Sequence, residues 1–268
     1  MSRLQWDQSS EKVYELGVDR GVIFPPVGEG FVWNGLVSVN ETPDGGEFSA
    51  YYMDGDPYYI QAQPDNFAAT IEAYTYPQGL EPFIGETTGA GGITYTGQTK
   101  GSFGLSYRTL IGIGDSGLME YKIHLVYNAK LSSSEKNYST TTDSPEPLTF
   151  SWDLNAVPVD ILGRRDTAHI VIDSRKVSRL ALGVFEGYLY GTNGISSRLP
   201  SISQIDSFFA QFTNLTVEYP VTYKGSLDTG DPFPAPWTKG DAYTIEGKLS
   251  VYNGSNWYSP SNASLTLF

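Results

Sequence analysis

The chain has 268 residues, 40% of them hydrophobic, enough for one large all-β domain or a domain with an appendage. Thirty acidic residues against 17 basic ones leave a formal net charge of −13. That balance argues against tight non-specific nucleic-acid binding, though not against a surface that lets DNA pass without holding it. Cysteine is absent, which excludes disulfides, thiolate catalysis and cysteine-held zinc together.

Nineteen Tyr, 13 Phe, 29 Gly and 16 Pro suit strands joined by turns. No apolar run is long enough to span a bilayer. The polar, charged start is unlike a secretory leader, so the chain is expected in the cytoplasm where it is made.

In chain order, residues 1–26 read as an arm ending in the strand GVDRGVIF, which Pro25 and Pro26 stop because proline has no ladder donor. GLVSVNETPDGGEFSAYYMDGDPYYI reads as strand, Pro-Asp-Gly-Gly turn and more strand. FAATIEAYTYP has helix-compatible Ala and Glu. However, Phe67, Ala69, Ile71 and Ala73 alternate with polar positions such as Thr70 and Glu72, which predicts a strand. Residues 85–101 read as a Gly/Thr-rich loop.

FGLSYRTLIGIGDSGLMEYKIHLVYNAKL reads as two strands and a tight turn. Phe103, Leu105, Tyr107, Thr109 and Ile111 form one face of the first strand, Ser106 and Arg108 the other. In the second strand Tyr121, Ile123, Leu125 and Tyr127 oppose Glu120, Lys122 and His124. Residues 132–147 form a long polar loop, a length that in a compact domain points to a job or to motion. In LTFSWDLNAVPV, Leu148, Phe150, Trp152 and Leu154 are expected inside, with Thr149, Ser151, Asp153 and Asn155 outside. AHIVID is expected to be a fully buried strand.

Helical spacing appears late. Val177, Leu180, Ala181, Val184, Phe185, Tyr188 and Leu189 make one apolar stripe, which Gly191 can end. Ser201 and Gln204 have capping-box spacing at the start of a second helix. From residue 213 the chain returns to short, aromatic-rich strands and reads as an appended β-meander. The predicted division is residues 1–212 and 213–268.

Chemistry is sparse. His124 and His169 are the only histidines, and each reads as an ordinary core or surface residue. No nucleophile elbow, Walker loop or Rossmann fingerprint occurs. Asp54 and Asp56 lack the remaining calcium-loop ligands and read as a solvated turn. Trp237, Trp257, Tyr243, Tyr252 and Tyr258 could stack on a sugar or fill a hairpin core. No enzyme activity, cofactor or metal is expected.

The segments WDQSSEKVYELGVDRGVIFP, ATIEAYTYP, FGLSYRTLIG, YKIHLVYNAKLSSSEKNYSTTTDSPEPLTFSWDLNAVPV, AHIVIDS and LYGTNGISSRLPS, in collinear order over residues 6–212, resemble the major tail tube proteins of long-tailed, non-contractile bacteriophages. The type carried by phages of actinobacteria is the nearest. The resemblance implies a mainly-β tail-tube sandwich or barrel flanked by an α-helix, with a small C-terminal β appendage. It implies hexameric rings stacked into a tube in the virion tail, assembled in the host cytoplasm. It also implies a tape-measure protein, tail terminator and distal tail proteins as partners, phage DNA crossing the lumen without sequence-specific binding, and no membrane partner. A carbohydrate-binding β-sandwich module is the alternative.

On that footing Ser106, Arg108, Glu120, Lys122 and His124 are the favoured lumen-facing residues. The polar positions Thr70, Glu72, Thr149, Ser151, Asp153 and Asn155 are the other candidates. Ser134, Glu135, Lys136, Asn137 and Tyr138 are the candidate ring-stacking loop.

Overall fold

The structure, a computed structural model, describes residues 12–43, 48–62, 66–114, 118–133, 136, 138, 140, 147–161, 163–192, 194–212 and 219–260. The first half holds strands β1 (Val13–Phe24), β2 (Phe31–Trp33), β3 (Leu36–Glu41), β4 (Phe48–Met53), β5 (Asp56–Ala62) and β6 (Phe67–Ala73). A one-turn helix α1 (Glu81–Ile84) and the short strands β7 (Glu86–Thr88) and β8 (Thr94–Thr96) follow. Then come β9 (Phe103–Ile113), β10 (Leu118–Ser133), β11 (Phe150–Ala156) and β12 (His169–Asp173), and helices α2 (Arg179–Tyr190) and α3 (Ile202–Gln211). The chain closes with β13 (Thr222–Leu227), β14 (Asp241–Ile245), β15 (Lys248–Tyr252) and β16 (Trp257–Tyr258). The protein is mainly β, as the sequence predicts. No helix among the described residues is long and apolar enough to cross a membrane.

The main sheet runs β2-β1-β9-β10-β11-β6-β3, with β12 added to β10. Strand β10 makes this branching possible. Its Lys122 to Val126 stretch pairs with β12, and its Ala129 to Ser133 stretch pairs with β11. Between them a bulge puts Asn128 at φ 49, so one strand bends and serves two neighbours.

The sheet curls until β1 approaches β3. A Cβ on Gly21 would lie 3.2 Å from the end of the Leu36 side chain and 3.3 Å from Trp33, so the approach there is tight. Inside the curl lie Ile23, Trp33, Ile71, Leu105, Trp152 and Leu154. The Trp33 and Trp152 rings meet edge to face at 5.4 Å. Outside it, Ile123, Leu125 and Tyr127 of β10 pack against α2 and α3. The β9–β10 hairpin is therefore covered on both faces for much of its length.

Helix α2 is buried nearly all round because it has sheets on two sides. Its outer partner is the C-terminal sheet β13-β14-β15-β16, whose Tyr223, Leu249 and Val251, with Val221 just before β13, share one apolar cluster with Leu180, Val184 and Phe185. Glycine permits the approach: a Cβ on Gly183 would stand 2.1 Å from the Val221 carbonyl oxygen. Helix α3 begins with the expected capping box, Gln204 N–H on Ser201 Oγ and Ser201 N–H on Gln204 Oε1.

Several local expectations change. The stretch AHIVID is an edge strand, not a fully buried one, and Val171 is 45% exposed. Leu148 lies before β11 rather than in its inward row and is exposed. Part of the Gly/Thr-rich loop is the hairpin β7–β8. The C-terminal strands are not a plain meander, because β13 pairs with β14 in parallel.

Candidate functional site

Among the described residues, exposed large apolar side chains gather on the β4–β5 hairpin. Asp54 and Gly55 adopt φ 53 and 88, the left-handed pair that a two-residue turn between twisted strands requires. Asp54 and Asp56 thus serve a turn, as expected. The register sets Tyr51 opposite Tyr59, and their rings stack at 6.2 Å. Among the described residues the ribbon belongs to no larger sheet. Tyr52, Met53, Tyr58 and Ile60 are all exposed, Tyr58 at 76%. A lone two-stranded ribbon is marginal in water, and adjacent exposed apolar side chains of this kind mark contact surfaces.

The favoured lumen residues do not form one wall. Ser106 stands opposite Leu125 and Arg108 opposite Ile123, whereas His124 stands opposite Tyr107 and Lys122 opposite Thr109. The two polar sets therefore lie on opposite faces of the sheet. Ser106 is completely buried on the helix side, and its hydroxyl has no hydrogen-bond partner among the described residues. Arg108 is held there too, bidentate to Asp19 at 2.7 and 2.5 Å and over the Tyr121 ring at 4.6 Å. That pairing raises the Arg108 pKa.

On the other face His124 is 6% exposed and lies inside the curl. Lys122 pairs with Glu15 and remains partly accessible. Glu120 accepts from Ser174 Oγ at 2.8 Å and from Arg179 at 3.2 Å. The physical cause of this burial is double coverage: a strand packed on both faces hides its polar residues and pairs most of them.

The second set of candidates behaves differently. Outer-face residues of β11, β6 and β3 align in rows, Ser151–Glu72–Ser38 and Asp153–Thr70–Asn40. Ser38 donates to Glu72 at 2.9 Å and Thr70 to Asp153 at 3.1 Å. This surface is polar, acidic and reachable by water. Thr149 precedes β11 and is exposed.

Of the expected stacking loop, Ser134, Glu135 and Asn137 lie outside the described residues. Lys136 is bound to its own chain, 3.0 Å from Glu86 and near the Tyr76 ring. Tyr138 is 70% exposed.

Sequence reading missed one constellation. Tyr107 OH donates to Glu41 Oε1 at 2.6 Å, and His124 Nδ1 lies 3.3 Å from the same oxygen. His124 Nδ1 is also 3.1 Å from His169 Nε2. The donor atoms of Glu41, His124 and His169 all lie within 4.8 Å of one another. The hydrogen bond from His124 and that from Tyr107 hold the Glu41 carboxyl down at about 2, against its burial. Burial pushes the His169 imidazole down to about 4, so it is neutral near pH 7. Two imidazole nitrogens and a carboxylate oxygen are a donor set that could hold a divalent cation. No local motif announces it: Glu41 ends β3, while the two histidines sit on paired strands 45 residues apart.

The C-terminal aromatics mostly use one another. Trp257 stacks on Phe233 at 3.9 Å and meets Tyr252 at 5.4 Å, while Trp237 is 46% exposed. Compared with known proteins, the chain matches no family model and no curated relative.

Proposed function

We propose that this chain is a structural subunit that self-assembles into a tube, the tail tube of a long-tailed phage, through which DNA passes. The observation that carries the reading is the β4–β5 ribbon, whose exposed Tyr, Met and Ile residues have no cover among the described residues. A ribbon of this kind gains stability by lying on a neighbouring copy, and repetition of such a contact generates a ring or filament. The sequence resemblance over residues 6–212 supports the same reading. In it, the lumen wall is the acidic outer face of β11, β6 and β3, where Glu72 and Asp153 repel phosphate and no row of fixed cations retards DNA. The tape-measure, terminator and distal tail proteins are the partners this reading implies.

The second reading, a carbohydrate-binding module, rests on exposed Trp237 beside Tyr252 and Trp257. It ranks lower because the other rings of that cluster are stacked on each other.

Negative-stain microscopy and sedimentation of the purified chain, alone and with tail extract, test the proposal. Rings or tubes are the expected result. A chain that stays monomeric under both conditions at high concentration overturns it. Retention on a polysaccharide column, lost in Trp237→Ala, supports the carbohydrate reading instead.

A further inference from the structure

We infer that Glu41, His124 and His169 form a binding site for a divalent first-row metal ion, zinc by preference, at the root of the β4–β5 ribbon. The inference is independent of the tube reading. It rests on four observations.

The first is spacing. A tetrahedral centre with bonds of about 2.0–2.1 Å separates its ligand atoms by about 3.3 Å. His124 Nδ1 lies 3.1 Å from His169 Nε2 and 3.3 Å from Glu41 Oε1. Two of the three separations thus match the tetrahedral edge, all three donors lie within 4.8 Å of one another, and a water can take the fourth position.

The second is orientation by outer groups. A metal-bound imidazole needs its other nitrogen fixed, and a bound carboxylate is itself hydrogen-bonded. Thr109 Oγ1 lies 3.1 Å from His124 Nε2, so the tautomer with N–H facing Thr109 leaves the Nδ1 lone pair pointing at the cluster. Tyr107 OH holds Glu41 Oε1. The Tyr107 ring stacks on His124 at 4.5 Å and an interplanar angle of 12°, and the Phe67 ring lies on His169 at 4.3 Å. These contacts lock both imidazole planes.

The third is access. His124 is 8% exposed in its side chain, yet Glu41 is 35% exposed, so the cluster is sheltered but open to solvent on one side. The fourth is placement. Glu41 is the last residue of β3, before the ribbon leaves the sheet, and Phe67 is the first residue of β6, where the chain returns. A cation here would clamp the β3 root of the ribbon to β10 and β12, beside the β6 root where Phe67 packs on His169.

Without a cation, the two imidazoles share one proton between Nδ1 and Nε2. The metal takes that position, and the proton moves by way of solvent to His124 Nε2, beside Thr109 Oγ1. The competing explanation, a proton-sharing pair only, is an outcome of the test.

The full chain, without a histidine tag, is stripped with EDTA and dialysed against micromolar ZnCl2, and retained zinc is counted by atomic emission. In parallel CoCl2 is titrated and the visible spectrum recorded. One zinc per chain and the intense visible bands of a tetrahedral Co2+ centre are expected, together with a zinc-dependent rise in melting temperature. Glu41→Gln, at a half-exposed position, should keep the fold and lose at least about tenfold in affinity. His169→Gln should do the same and abolish the cobalt bands. A wild-type chain that retains no zinc and gives no tetrahedral cobalt spectrum overturns the inference whatever the variants do. Undiminished binding in both folded variants overturns it too.

Discussion

The hydroxyl of Tyr107 donates to Glu41 Oε1 at 2.6 Å, tying the middle of β9 to the end of β3 across the inside of the curled sheet. The two strands are not neighbours in the hydrogen-bonded ladder. The contact is one of the few polar ties across that interior, and its acceptor is a charged group. Tyr107→Phe keeps the buried ring and removes only this bond. Because Glu41 is partly exposed, water can satisfy the abandoned oxygen, which limits the loss to about 1–2 kcal/mol. Urea unfolding of the two proteins measures it. A variant as stable as wild type means that the bond adds nothing beyond what water provides.

Tyr52 and Tyr58 contact solvent in the isolated chain, at 69% and 76% exposure. Changing both to Ser should alter the stability of the subunit by no more than about 0.5–1 kcal/mol. The same change should abolish tube formation, because it strips the ribbon of its largest uncovered rings. Melting curves and electron micrographs of one preparation give both readings. Normal tubes from the double variant assign the assembly contact to another surface.

Gly183 faces the backbone of the C-terminal segment, with its missing Cβ 2.1 Å from the Val221 carbonyl oxygen. Alanine would add helix propensity of about 1 kcal/mol in an exposed helix. Here the steric term wins, because backbone cannot swing aside as a long side chain can. Gly183→Ala should cost a net of about 2–3 kcal/mol by denaturant unfolding. Deleting residues 213–268 should be worse, since it uncovers Leu180, Val184 and Phe185, which share their cluster with Val221, Tyr223 and Leu249. A truncated chain that melts like the full one contradicts this packing.

Asp173 accepts from Arg175 Nε and NH2 at 2.9 and 2.7 Å, and from the Arg175 backbone N–H at 3.0 Å. The Arg175 guanidinium holds the carboxyl down at about 2, below the ordinary 3.8, despite burial. A depressed carboxylate stabilises the fold above its unfolded pKa and loses that contribution as pH falls through its folded one. The contribution, about 1–2 kcal/mol after allowance for the accessible guanidinium, should be complete above about pH 5 and vanish between about pH 4 and 2. Asp173→Asn should therefore be less stable than wild type at pH 7, with the difference closing across that window. A difference that stays constant from pH 7 to 2.5 removes the ion pair as its source.

Local pattern alone was sufficient for β6, for the Trp152–Leu154 row of β11, for the Ser201–Gln204 cap and for the Asp54-Gly55 turn. Each of these is decided by residues within a few positions: alternation against one core, a side chain reaching its own helix start, two adjacent left-handed residues. The mainly-β class and the late pair of helices were legible for the same reason. Pairing across distance was not. The relative facing of β9 and β10 depends on the parity of the connection between them, and one residue of slip exchanges every inward side chain for an outward one. Alternation within each strand does not supply that parity, and Ser106 and Arg108 lie on the face opposite to Lys122 and His124. Burial on both faces added a second ambiguity, since β9 hides polar Ser106 and apolar Leu105 alike. The Glu41–His124–His169 cluster was beyond reach for a stronger reason. It exists only because the sheet curls until the end of β3 faces the middle of β10, while β10 branches to take β12 at its edge. That curvature is a property of eight strands closing on one apolar interior, and no short stretch of sequence carries it.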